Sequence, residues 1–247
     1  MTVYICDNSV DGILCALFSS FIDKIKPDQI IDRKFFQPRF DAYVKEILTD
    51  KNNADRVKKA LFNYGGDDII AHLKVCLSSC DERAMTVAFN YGYLTLKERR
   101  NVSEKLSDKA VSDFSYLVQK VLHERHIVSG FLRFRESKNG VLYAQYSPDN
   151  DITSILAPHF LRRLGNNPFI IHDMKRNKIA ISNGRAIKFD YTELPPSFTP
   201  SDNESNLNLL WKRYFNHINI KERKNTSQQD GYFPRRYRKY CFETWEE

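Results

Sequence analysis

At Gly130 the spacing of apolar residues changes, and that change constrains the fold more than any other feature of the chain. Before it, apolar residues recur at helical intervals. Ile13, Leu14, Leu17, Phe18 and Phe21 share one face of a helix expected over Val10–Ile25, after the capping run Asp7-Asn8-Ser9 and before Pro27. Phe40, Tyr43, Val44 and Ile47 have helical spacing. So do Val57, Ala60, Leu61 and Tyr64, closed by Gly65-Gly66, and then Ile69, Ile70, Leu73, Val75 and Leu77. Val111, Phe114, Leu117, Val118, Val121 and Leu122 form a last stripe. Only Val3–Cys6 reads as a strand in this part.

After Gly130 the period is two. Phe131, Arg133 and Arg135 alternate with Leu132, Phe134 and Glu136, and Asn139-Gly140 turns the chain back into Val141–Tyr146. A helix follows at Ile152–Leu164, then strands at Phe169–His172, Lys178–Ser182 and Ala186–Phe189, with a second turn at Asn183-Gly184. The expected fold class is α+β. Residues 1–127 form a mainly helical module with a short N-terminal strand. Residues 128–194 form a mostly antiparallel sheet with flanking helices, residues 195–204 a proline-containing linker, and residues 205–247 a basic helical segment packed on the sheet. All of this can be one domain. In the last segment Leu207, Leu210, Trp211, Tyr214, Phe215 and Ile218 share a helical face, so those rings read as core. Pro234 starts a final short helix, Arg235–Thr244.

Charge separates the last segment from the rest. Trp211 to Tyr240 holds nine Lys or Arg against Glu222 and Asp230, a net +7 that equals the net charge of the whole protein. Cations interleaved with flat rings suit a polyanion that also has faces to stack on. An amphipathic helix with basic outer and aromatic inner faces has the same composition. With Trp211 and Tyr214 assigned to core, stacking falls to Tyr232, Phe233, Tyr237 and Tyr240.

The remaining polar residues give fewer constraints. His172-Asp173 ends a strand and is followed by Lys175 and Arg176, while His159 precedes Arg162 and Arg163 by one helical turn. Two imidazoles, a carboxylate and several cations suit phosphodiester chemistry, with His159, His172 and Asp173 as acid, base or orienting groups. They suit simple phosphate contacts equally well. They also suit a buried histidine and a turn-forming aspartate. His123-Glu124-Arg125-His126 has its histidines three apart, not four as a zincin motif needs, so Glu124 and His126 read as braces at the helix-to-strand junction. Cys76 and Cys80 lack the partners of a four-ligand zinc site and read as core. Neither a metal nor a cofactor is expected. Five cysteines without regular spacing, no leader-like N-terminus and no apolar run near the roughly 20 residues that span a bilayer lead to the expectation of a cytoplasmic protein away from membranes.

One resemblance covers the length of the chain. It is carried by Tyr4 with Asp11-Gly12-Ile13-Leu14-Cys15-Ala16; by Glu124-Arg125-His126 with Gly130-Phe131-Leu132-Arg133-Phe134; by Tyr143-Ala144; by Pro158-His159-Phe160 with Arg162-Arg163; by Ile171-His172-Asp173 with Lys175-Arg176; and by Leu210-Trp211, Tyr214-Phe215, Arg223-Lys224-Asn225 and Pro234-Arg235-Arg236-Tyr237. In these residues the chain resembles a bacterial DNA metabolism protein family of unknown activity. Val10 departs from it, being aliphatic where an aromatic is expected. The resemblance implies a role with nucleic acid, beside a radical-SAM protein that looks like spore photoproduct lyase and is associated with DNA modification or repair. It supplies no catalytic mechanism. The resulting expectation is an accessory protein that binds DNA or another nucleic acid through Arg162, Arg163, Lys175, Arg176, Arg223, Lys224, Asn225, Arg235, Arg236, Tyr237 and Arg238. The alternatives are an enzyme using His159, His172 and Asp173, and a protein-interaction module without nucleic acid.

Overall fold

The computed structural model describes residues 1–37, 42–192, 199–201, 203–218 and 234–241. The chain divides into two compact units, Met1–Leu122 and His123–Glu247.

The first unit holds more strand than its periodicity suggests. β1 (Thr2–Cys6) is almost wholly buried and leads through Ser9, whose hydroxyl caps the N–H of Gly12, into α1 (Val10–Asp23). β2 (Gln29–Asp32) and β3 (Tyr43–Glu46) both run parallel to β1, giving the order β2-β1-β3. Tyr43 and Val44 thus lie in a strand, not the expected helix. Four residues of Tyr-Val-Lys-Glu fit either period, and pairing with the buried central strand decides for β. Phe40 lies outside the described residues. The helices α2 (Lys51–Gly65), α3 (Ile69–Leu77) and α4 (Ala84–Glu98) fall where expected or in the stretch left unassigned, and α1 packs on α2 and α4. The stripe at 111–122 belongs to α5 (Lys109–Phe131), whose Val111, Phe114, Leu117 and Val121 are buried. Cys76 is core, but Cys80 is exposed, contrary to expectation.

The second unit is built on five strands whose spatial order follows the chain: β4 (Arg135–Glu136), β5 (Leu142–Tyr146), β6 (Phe169–Asp173), β7 (Lys178–Ser182) and β8 (Ile187–Tyr191). Three pairings are antiparallel. The pair β5–β6 is parallel, because α6 (Thr153–Leu164) crosses between them. Gly140 and Gly184 sit at φ 73° and 86°, the left-handed backbone that the two expected hairpin turns require. The mixed α+β architecture is as the periodicity predicts. The first expected strand of this sheet is shorter than predicted, since α5 runs on to Phe131 and only Arg135–Glu136 pairs.

The register sorts the residues of this sheet by face. Ala144, Tyr146, Phe169, Ile171, Asp173 and Ala180 share one face, and Tyr143, Gln145, His172 and Ile179 share the other. α6 packs on the first. Its Leu156, Ala157 and Phe160 are buried, and Phe134 sets its ring against both Phe160 and Phe169 at 5.0 and 6.0 Å. Each such ring contributes about 1.5–3 kcal/mol through burial.

The expected linker is partly a sheet partner. Lys138 N donates to the carbonyl of Thr199, Ser201 N donates to that of Glu136, and Pro200 bridges to Ser137. α7 (Glu204–Ile218) follows, and α8 (Arg235–Arg238) starts directly after Pro234. No helix among the described residues is long and apolar enough to cross a membrane.

Candidate nucleic-acid interface

α7 is fastened at its first turn. The Glu204 carboxylate, buried, accepts from the backbone N–H of Glu136. Beyond that turn Leu207, Leu209, Leu210, Trp211 and Tyr214 are exposed. Trp211 is 39% exposed and Tyr214 is 55% exposed. The expectation that these rings are core fails for both, because periodicity shows that a helix has an apolar face without showing what covers it. The side chains of Phe215 and Ile218 lie outside the described residues. The Trp211 and Tyr214 ring centroids are 5.7 Å apart, and the Arg133 guanidinium lies 5.9 Å from the Trp211 ring. From Ser205 to Lys221 the sequence holds Lys212, Arg213 and Lys221 and not one carboxylate.

Tyr237 behaves in the opposite way. It is 4% exposed, and its hydroxyl donates to the Glu124 carboxylate. That ring is structural, so it provides no stacking surface. Arg235 is exposed, Arg238 half-buried. Arg223, Lys224, Asn225 and the side chain of Arg236 lie outside the described residues, as do Tyr232 and Phe233.

Glu124 is a brace, as the sequence suggests. Its carboxylate accepts from the backbone N–H groups of Asp149 and Asn150 at 2.8 and 2.9 Å, from the Asn150 amide and from Tyr237. Burial pushes its pKa up, but these donors outweigh that and the net direction is down.

The three residues considered for acid–base work are not brought together. His172 is on the sheet face away from α6, 1% exposed, with Nδ1 2.9 Å from the Tyr143 hydroxyl. Gln145 Nε2 donates to that hydroxyl at 2.9 Å. Tyr143 thus links Gln145 to His172, whose Nε2 has no partner among the described residues. Burial lowers the His172 pKa. Asp173 lies on the opposite face, fully buried, where it accepts from the N–H groups of Lys175 and Arg176 and from Arg176 Nη1 at 3.0 Å. Burial raises its pKa even with Arg176 beside it. Arg176 also donates to the carbonyls of Pro148 and Asp149, so it holds a loop and has few donors left for a phosphate. Lys175 is exposed, 3.8 Å from the Asp149 carboxylate.

His159 stands on α6 with Arg162 and Arg163 on the same helix face. The sheet lies between α6 and the His172 imidazole, so His159 and His172 cannot act on one bond. Arg125, not among the expected site residues, acts by its charge on His159 together with Arg163 and Arg162. Its signal was the spacing Arg125 to Ser129, one turn, at the end of α5.

The first unit carries a cleft of about 650 Å³ beside β2, lined by Asn8, Asp32, Phe35, Asp81, Glu82 and Arg83 among others. Arg83 is bound by Asp81, which leaves the cleft acidic and unsuited to phosphate.

Residues 82–243 match the family model of a domain of unknown function, DUF4130. That is well over half of the chain, and the chain belongs to this family. No curated protein is similar to it.

Proposed function

We propose that this DUF4130 protein binds nucleic acid as an accessory factor in DNA repair or modification, and that α7 receives unpaired bases. The observation that supports this most is the pair Trp211 and Tyr214, exposed on α7, in a part of the sequence, Ser205 to Lys221, that holds cations and no acid. An exposed ring beside a guanidinium takes a base face on one side and a phosphate on the other. The family resemblance adds the context: a radical-SAM enzyme as the partner that performs chemistry on the strand held here. Work in a reducing cytoplasm is compatible with five cysteines of irregular spacing.

Fluorescence anisotropy with a labelled single-stranded oligonucleotide and the matching duplex tests the reading. The single strand binds more tightly, and W211A/Y214A removes most of that difference. Equal binding of both forms by wild type and variant, or no binding of either, overturns it.

A further inference from the structure

We propose that Arg125, His159, Arg162 and Arg163 form a phosphate site in the second unit, in which His159 takes up a proton from solvent as the anion binds. The inference deepens the nucleic-acid reading, since a phosphodiester is one source of the ligand, but the site can be tested without it.

The geometry starts from helix periodicity. His159, Arg162 and Arg163 are three and four residues apart on α6 and so point the same way. Arg163 Nη1 reaches the carbonyl of Ser129 on α5 at 3.5 Å, which brings the two helices together at that level. Arg125 is one turn before Ser129 on α5 and therefore faces α6 too. Four other arginines meet carboxylates, Arg33 with Asp7 and Glu46, Arg83 with Asp81, Arg100 with Glu98 and Arg176 with Asp173, while Arg56, Arg99 and Arg185 have no ion pair among the described residues. Arg125, Arg162 and Arg163 make no ion pair among the described residues. Arg162 and Arg163 are in the last turn of α6, where the helix dipole favours cations. Arg125 is well inside α5, so that effect does not account for it.

Three guanidiniums whose charge reaches one ring oppose a fourth charge there. Burial of the ring, and then Arg163, Arg162 and Arg125, lower the His159 pKa, and no carboxylate acts on it. His159 is therefore neutral near pH 7. An anion seated among the arginines cancels their repulsion and favours the imidazolium, which then donates to a phosphate oxygen. Phe160 holds the ring edge-to-face at 5.1 Å, which limits its reorientation.

The experiment follows the His159 ring by proton NMR, assigned by the loss of its signal in H159Q. The probes are dimethyl phosphate, a diester, and sulfate, which keeps two charges between pH 5 and 8 as a free phosphate dianion does. Saturation raises the His159 titration midpoint by about one pH unit. R125Q and R162Q/R163Q each weaken the anion at least about tenfold, and H159Q binds it with no pH dependence. A response to the diester identifies backbone phosphate as the ligand; a response to sulfate alone identifies a free phosphate. A His159 midpoint that neither anion moves overturns the site. W211A/Y214A leaves the response intact. A wild-type protein that binds neither oligonucleotide but keeps that response overturns the proposed function and spares the site.

Discussion

Tyr237 on α8 donates its phenolic proton to Glu124 on α5, joining residues 113 positions apart in the chain. Glu124 is also the acceptor for the 149–150 loop that leads into α6. One carboxylate thus ties the C-terminal helix, the end of α5 and the approach to α6.

Tyr237→Phe removes a charge-assisted bond from a buried carboxylate and costs about 1.5–3 kcal/mol. The chain melts several degrees lower by calorimetry. Unchanged melting means that Tyr237 is not a tie. Because the Glu124 pKa is lowered on folding, its contribution is complete above the usual carboxylate range and is lost as pH falls through the lowered value. E124Q flattens that acid limb.

Arg176→Ala leaves Asp173 fully buried without its counter-ion and opens the loop carbonyls of Pro148 and Asp149. The expected loss is about 3 kcal/mol in urea denaturation. R176A/D173N recovers part of it, since the unpaired charge is gone. Full additivity of the two changes would show that the pair is not coupled.

His172 is held neutral by burial, with its pKa lowered. A histidine that resists protonation in the fold binds fewer protons than the unfolded chain. Its contribution is therefore complete above the ordinary histidine pKa near 6.5 and declines as pH falls from there toward the lowered folded value. Wild-type stability decreases from about pH 7 to pH 5, and H172Q decreases less steeply. His159 acts in the same direction, so some slope persists. Parallel wild-type and H172Q curves would exclude His172 as a source.

Binding through α7 separates into two contributions that respond differently to salt. Removing Arg213 lowers the slope of log affinity against log salt by about 0.7 for single strands, one phosphate contact. W211A/Y214A costs about 1–3 kcal/mol per stacked base and leaves the slope unchanged. A slope that changes in W211A/Y214A would assign those rings to positioning cations instead.

Much of the second unit was legible because its signals are local. Asn139-Gly140 and Asn183-Gly184 need left-handed backbone, and the chain turns at both. Lys178–Ser182 alternates by twos and is a strand to the residue. The parallel sheet of the first unit was hidden: Gln29–Asp32 and Tyr43–Glu46 are four-residue edge strands, too short for a period to declare itself.

The candidate site divides along the same line. Residue types and spacings alone determined the α+β class, the charge excess of the C-terminal segment and the grouping of His159 with Arg162 and Arg163. They placed Trp211 inside and Tyr237 outside, and the structure reverses both. They joined His159, His172 and Asp173, and the sheet parts them. A period states which side chains share a face. Only packing against residues far away in the chain decides which face is covered, which charge finds a partner and which, like Arg125, is left for a ligand.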